Sequence, residues 1–259
     1  MSHHGQPEVY VMKVGILGTG SIGGTLARKL SAAGHTVKVA NSRGPDTIDP
    51  EVLSTGASGV TKEEVVTGID VLILSIPFIR IPYLAPMLAG LPAETVVIDT
   101  SNYIPFRDDR IEAIEKGKPD SIWVSEKLGR PIAKAWNSIY SVTLKEMGRP
   151  VGHPDRVAAP VAADRDRDRE VTMALVEESG FDAYYAGTIE ESWRQQCGAP
   201  CYCTEITLAE LPGALARADL ARSRRRQDLA FAVYEEKYGT SGINPDGDFI
   251  VQLSRLINL

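Results

Sequence analysis

The strongest constraint on the fold is the run from Val14 to Pro45, VGILGTGSIGGTLARKLSAAGHTVKVANSRGP. An apolar strand, Lys13-Val14-Gly15-Ile16-Leu17, leads directly into G-x-G-x-x-G at Gly18, Gly20 and Gly23. The first glycine permits a tight turn out of the strand. The second leaves room for a pyrophosphate against the backbone, and the third lets the following helix pack close to the strand. That helix, expected from Ser21, carries Ile22, Leu26 and Leu30 at spacings of four as its buried stripe. Gly34 falls where a left-handed helix stop is wanted, and His35 to Ala40 returns as a second strand. A glycine turn alone is common. Strand, turn, helix, glycine stop and second strand in this order make a βαβ unit that places dinucleotide phosphates on a helix N-terminus.

The end of the second strand selects the dinucleotide. An NAD site usually puts Asp or Glu about 20 residues beyond the glycines, on the ribose 2′-hydroxyl. No acidic residue lies between Thr36 and Pro45; Asn41 and Ser42 offer neutral donors there, and Arg43 a cation. A guanidinium suits a 2′-phosphate through charge-assisted, forked contacts. Thr19 adds a hydroxyl from within the turn. Asp46 follows closely, but Gly44-Pro45 breaks the strand before it. Outside the context of the glycine turn, Arg43 would read as an ordinary solvated loop residue. Within it, NADPH is the expected cofactor.

Length and charge bound the rest. The 259 residues fit one large α/β domain with a small appendage, and 43% hydrophobic residues suffice for a packed core. A net charge of -6 argues against nonspecific binding to nucleic acid or to an anionic membrane. No apolar stretch is long enough to span a bilayer, and Met1-Ser2-His3-His4-Gly5 does not read as a signal peptide. The expected location is the cytoplasm. Cys197, Cys201 and Cys203 cluster, but C-x3-C-x-C matches no common zinc spacing. They read as reduced thiols, with no metal site.

Further along, Ile69 to Pro77 is apolar without alternation, as expected of a central parallel strand covered on both faces. Its end, Ser75, Ile76, Pro77 and Phe78, falls by the rule for open α/β sheets at the ligand crevice. A second such strand, Thr95 to Asn102, brings Ser101 and Asn102 to the same side, with Tyr103 beyond. A helix beginning at Ser125, a strand over Arg130–Asn137 and a strand over Arg156–Ala163 follow. The alternating run Asp164 to Glu170 reads as the solvated, self-compensating first turn of a helix over Val171–Ser179. Gly180 to Tyr185 is the last strand. From Gly187 the alternation stops: a loop (Ser192 to Cys203) leads into helical spacing over Leu208–Tyr238. The expectation is therefore α/β, a Rossmann-type doubly wound, mostly parallel sheet with a small C-terminal helical appendage. Residues 1–186 form the NADPH-binding domain, and 187–259 a loop and helical region that caps the crevice and mediates a homodimer.

The order GILGTGSIGGTLARKLSAAGH, VANSRGP, VLILSIPF, VVIDTSN, KAWN and SGFDAYYAG resembles the NADP oxidoreductases that use the deazaflavin coenzyme factor 420, over residues 12 to 190. The cytosolic domains of the six-transmembrane metalloreductases are in the same group. The resemblance implies that Gly18, Thr19, Gly20, Ser21, Ile22 and Gly23, with Asn41, Ser42 and Arg43, hold NADPH. It also implies that Ser75–Phe78 line the nicotinamide and that Asn137 sits beside a second ring system. Such enzymes pass a hydride between nicotinamide and a stacked flavin-like ring, so the protein supplies proximity and orientation, and no general acid is required. The expected acceptor is a deazaflavin, a flavin or another small organic molecule. Direct reduction of a carbonyl or imine is the alternative, and a non-catalytic NADPH sensor a second. A carbonyl or imine would need a proton, for which Tyr140, Lys134 and Tyr103 are candidates. His153, in a loop, reads as structural or exposed. The segment Glu191–Pro200 concentrates Trp193, Arg194, Gln195 and Gln196 at the expected crevice. These could contact an acceptor, or form an ordered loop that packs Trp193 into the tail interface.

Overall fold

The computed structural model describes residues 11–239 and 246–259; Met1 to Gly5 lie outside them. The apolar runs become one eight-stranded sheet in the order β3-β2-β1-β4-β5-β6-β7-β8. Its strands are β1 (Lys13–Leu17), β2 (Thr36–Ala40), β3 (Ser58–Gly59), β4 (Val71–Leu74), β5 (Val96–Asp99), β6 (Ala133–Lys134), β7 (Ala158–Ala163) and β8 (Asp182–Gly187). Only the β6–β7 pair is antiparallel. The strand order reverses at β1 and β4, which opens a crevice beyond their C-terminal ends.

Successive residues of a strand face opposite sides, and the core follows that rule. Val71 and Ile73 join one apolar cluster with Leu26 and Leu30 of α1 (Ser21–Ala32). Leu72 and Leu74 join another with Trp123 and Val124 of α2 (Asp120–Leu128). Beyond these come α3 (Ser141–Glu146) and α4 (Asp166–Glu178), whose Leu175 and Val176 pack in the first cluster. Helices therefore cover both faces, as the apolar runs without alternation require. The tail holds α5 (Leu211–Ala216), α6 (Leu220–Tyr238) and α7 (Gly247–Asn258). The doubly wound, mostly parallel α/β sheet with C-terminal helices is the fold of this chain. No helix among the described residues is long and apolar enough to cross a membrane.

Several local expectations are corrected. The strand over Arg130–Asn137 shortens to β6, because Trp136 takes a left-handed conformation with φ 58° and turns the chain. Helix α2 starts at Asp120 rather than Ser125. Leu208–Tyr238 divides into α5 and α6, where the Asp219 side chain accepts from Arg222 N at 2.9 Å and starts a new helix.

The charge run differs most. Helix α4 begins inside it, at Asp166, and Asp168 is fully buried rather than solvated. Its carboxylate accepts from Arg165 Nε and Nη2, both at 2.7 Å. Arg165 Nη1 donates in turn to the Ala93 carbonyl at 2.7 Å, and Arg167 Nε to the Glu94 carbonyl at 3.1 Å. The run is a clamp between α4 and the segment leading into β5. Asp168→Ala should cost about 2–3 kcal/mol, the scale of a charged hydrogen-bonded pair broken on one side, read as a lower urea midpoint at unchanged m value.

Candidate functional site

The glycine turn owes its shape to what cannot fit. Gly18 has φ 102°, and a Cβ there would lie 2.0 Å from the Ser75 carbonyl oxygen. A Cβ on Gly23 would lie 2.0 Å from the Gly18 carbonyl oxygen. These contacts bring β1, α1 and β4 together. Around a Cβ on Gly20 there is nothing within 4 Å, so that position faces open space. No side chain caps the first turn of α1, and no acidic residue stands in it. Its free N–H groups and positive dipole end therefore point outward, an arrangement suited to phosphates.

At the end of β2, Asn41 Oδ1 accepts from the backbone N–H of Arg43 and Gly44, both at 2.9 Å, and Asn41 Nδ2 donates to Thr47 Oγ1 at 3.0 Å. The asparagine thus shapes the turn. Ser42 and Arg43 are exposed, and the Arg43 guanidinium makes no hydrogen bond or ion pair to another described residue. It is available to an incoming anion.

The crevice beyond the strand ends is a cavity of about 370 Å³, bordered by Gly20, Ser21, Ile22, Ser75, Ile76, Pro77, Ser101, Asn102, Asn137 and Tyr140. The later part of the glycine turn and the ends of β4 and β5 converge here with Asn137 and Tyr140, whereas Asn41, Ser42 and Arg43 do not border the cavity. Ser101 Oγ is buried without a hydrogen-bond partner among the described residues. Four candidates are placed otherwise. Phe78 is fully buried and stacked on Trp123 with ring centroids 4.8 Å apart, so its ring belongs to the core. Trp193 does not border the cavity; the Arg194 guanidinium lies over its ring, 5.3 Å from the centroid. Lys134 is buried, its ammonium 2.7 Å from Asp99 Oδ2 and bonded also to the Ser101 carbonyl. The Tyr103 hydroxyl donates to Glu115 at 2.9 Å and accepts from Ile111 N at 3.1 Å, away from the crevice. Exposed His153 accepts from Asp155 N at 3.2 Å.

Asn137 borders the crevice, but its amide is engaged. Nδ2 donates to Asn102 Oδ1 at 3.0 Å and to the Gln195 carbonyl at 2.9 Å, while Oδ1 accepts from Gln195 Nε2 at 2.9 Å. It ties two loops together. Tyr140 is the remaining proton candidate, and burial pushes its phenol up to about 12, so it stays protonated at neutral pH. Behind the rim lies Asp120, which accepts from Tyr103 N at 3.1 Å. Burial raises its carboxyl to about 6, against the opposing pull of Lys134.

Next to the crevice is a second cavity of about 570 Å³, roofed by α6 and α7. Both spaces share Ile104, Arg107, Tyr140, Tyr202 and Cys203 as walls. Phe106, Phe231, Tyr234 and Leu253 make its lining largely apolar and aromatic. Arg107 is held in place by the buried Asp108, accepting from its Nε at 3.0 Å and Nη2 at 2.7 Å. No local sequence pattern marks Arg107, Tyr202 or the roof. Cys197, Cys201 and Cys203 are buried free thiols; burial raises the first two to about 12 and holds the third well above the ordinary thiol value. Among the described residues no group of three or more His, Cys, Asp or Glu side chains is placed to hold a metal ion.

Residues 13–103 match the family of coenzyme F420-dependent NADP oxidoreductases. The Escherichia coli (strain K12) protein YjhV is 36% identical over 109 residues, which is 42% of this chain and 77% of YjhV. The chain belongs to this oxidoreductase family. Among solved structures, the hypothetical protein SMa0349 from Sinorhizobium meliloti is similar in fold. It has a TM-score of 0.62 at 24% identity, over 73% of this chain and 91% of that one. A candidate F420-dependent NADP reductase from Arthrobacter sp. FB24 gives a TM-score of 0.54 at 18% identity, over 86% and 95% of the two chains. The protein is thus an NADP-dependent oxidoreductase on a Rossmann-type fold.

Three substitutions should each move a measurable property of the oxidoreductase. Gly18→Ala should destabilise it by at least about 2 kcal/mol in urea unfolding, through a strained φ and a backbone clash. Gly20→Ala should leave unfolding within about 0.5 kcal/mol of the parent yet weaken NADP binding in a fluorescence titration. The Asp120 carboxyl, raised in the folded state, binds its proton more tightly there than in the unfolded chain. Its contribution to stability is therefore present at low pH and lost as pH rises between about 4 and 6. Asp120→Asn should gain on the parent by up to about 3 kcal/mol between pH 4 and pH 7, measured as the pH dependence of the difference in unfolding free energy.

Proposed function

We propose that this oxidoreductase transfers a hydride between NADPH, laid along the crevice, and a flavin-like ring (deazaflavin or flavin) or other small organic acceptor in the adjoining 570 Å³ cavity. The observation that carries this reading is the shared wall: two spaces, one edged by the glycine turn and one largely aromatic, meet at Ile104, Arg107 and Tyr140. NADPH, when bound, supplies the hydride chemistry. The chain's residues bind, orient and exclude water. Gly18 to Gly23 and the first turn of α1 hold the pyrophosphate; Thr19, Ser42 and Arg43 receive the 2′-phosphate, with Asn41 shaping their turn. Ser75, Ile76, Pro77, Ser101 and Asn102 line the nicotinamide, and of Phe78 only the backbone takes part. Asn137 positions the rim. Residues 187–259 form the cap that encloses the acceptor, and that enclosure keeps competing water from the transfer.

A second reading, direct reduction of a carbonyl or imine, is favoured by one feature. Tyr140 keeps its hydroxyl proton at the shared wall, where it could donate a hydrogen bond to a substrate oxygen or nitrogen. NADPH oxidation followed by absorbance against deazaflavin, flavin, quinone, carbonyl and imine acceptors separates the two. Turnover with the flavin-like compounds is expected. Turnover confined to carbonyls or imines, and lost in Tyr140→Phe, would establish the second reading instead. Arg43→Ala should raise KM for NADPH at least about 10-fold, the scale of a charge-assisted hydrogen bond, while leaving NADH little changed. Equal losses with the two nucleotides would sink the phosphate assignment.

A further inference from the structure

The 570 Å³ cavity and the crevice it adjoins share a single cation. Among the described residues that border the two spaces, Arg107 is the only Lys, Arg or His. The crevice has no acidic residue on its border, and the cavity has Glu235 alone. The guanidinium is also held still. Its Nε and Nη2 donate to Asp108, and Nη2 donates as well to the Asn102 carbonyl at 2.8 Å. Asp108 is fully buried and accepts besides from Ile104 N at 2.9 Å and Ile79 N at 3.4 Å, so its charge is shared with the backbone. Arg107 Nη1 takes no partner among the described residues. The side chain is 42% exposed, which leaves it within reach of a solute. A planar fork clamped along one edge has little freedom left to lose when an anion meets the other.

We propose that the acceptor chamber takes small monocarboxylic acids with an apolar body: the carboxylate accepts from Arg107 Nη1, and the body lies among Phe106, Phe231, Tyr234 and Leu253. One fixed cation, already facing Asp108, matches a single negative charge through a charge-assisted hydrogen bond. A phosphate dianion asks for more donors than this wall supplies. The inference rests on the reading of the cavity as the acceptor chamber. Among the small organic acceptors of that reading, it selects those that carry a carboxylate.

The test compares 3-phenylpropionate with 3-phenylpropionamide, which are alike in shape and differ in charge, by titration calorimetry on the NADP-loaded protein at neutral pH. Wild type should bind the acid at least about 10-fold more tightly, the scale of a hydrogen bond to a charged group. Arg107→Met should bind the acid no more tightly than the amide, with NADP affinity unchanged. Equal binding of acid and amide by wild type overturns the inference, and that comparison needs no variant to fold. Failure of wild type to bind either compound does the same. A preference for the acid that survives in Arg107→Met also overturns it, because the carboxylate then sits elsewhere. So does a loss of NADP affinity in that variant, which assigns the guanidinium to the nucleotide. Phe231→Trp, which takes up space in the cavity, decides the underlying reading separately, through kcat/KM for whichever acceptor oxidises NADPH. A fall leaves the acceptor chamber standing, and no change removes it.

Discussion

A charge pair sealed from water between two strand ends holds the crevice in shape. Lys134 and Asp99 lie 2.7 Å apart with no exposure of either side chain. Moving both groups out of water is costly, and attraction alone does not offset it; the remaining donors and acceptors must be satisfied as well. Here they are: Lys134 also donates to the Ser101 carbonyl, and Asp99 Oδ1 accepts from Ser101 N at 3.0 Å. The chain leaving β5 is thereby fixed to β6. Asn102 is bonded reciprocally to Asn137, which is bonded to Gln195. The three loops of the rim form one network, in which each polar group depends on its neighbours' positions.

That network divides the labour between the two parts of the chain. The sheet ends present backbone and small side chains, appropriate to a nucleotide recognised by its phosphates and its flat ring. The tail and the loop before it present aromatic rings, one amide and thiols. The crevice is thus built from short-range sequence, while the adjoining cavity is assembled from residues near 104, 140, 202, 231 and 258.

This difference explains what could be read from the sequence. Gly18 and Gly23 were legible because the geometry they allow depends on a missing Cβ, a property visible in the residue name. Strand ends were legible because unbroken apolar runs in a parallel sheet deliver their polar tails to one side. Phe78 was misplaced because reaching a strand end does not say which way a ring points; it turned inward to stack on Trp123. Trp193 and Gln195 lie two residues apart on a short 3-10 turn, and it was the glutamine that reached Asn137. Trp136 ended β6 early through a backbone conformation that its residue type disfavours. Asp168 read as solvated because the segment before β5, which anchors its partner Arg165, becomes a neighbour only in the folded chain.

The three buried cysteines carry a consequence for selectivity of reaction. With Cys197 held at about 12, its thiolate fraction near neutral pH is on the order of 10⁻⁵. The Tyr202 hydroxyl hydrogen-bonds both Cys197 and Cys203, and its own proton is held more firmly by burial. A wall that carries soft sulfur atoms is therefore almost without nucleophiles. Electron-poor rings, quinones and imines, which free thiolates would trap as covalent adducts, can stay beside it intact. The chamber offers polarizable surface without the addition chemistry that usually accompanies it.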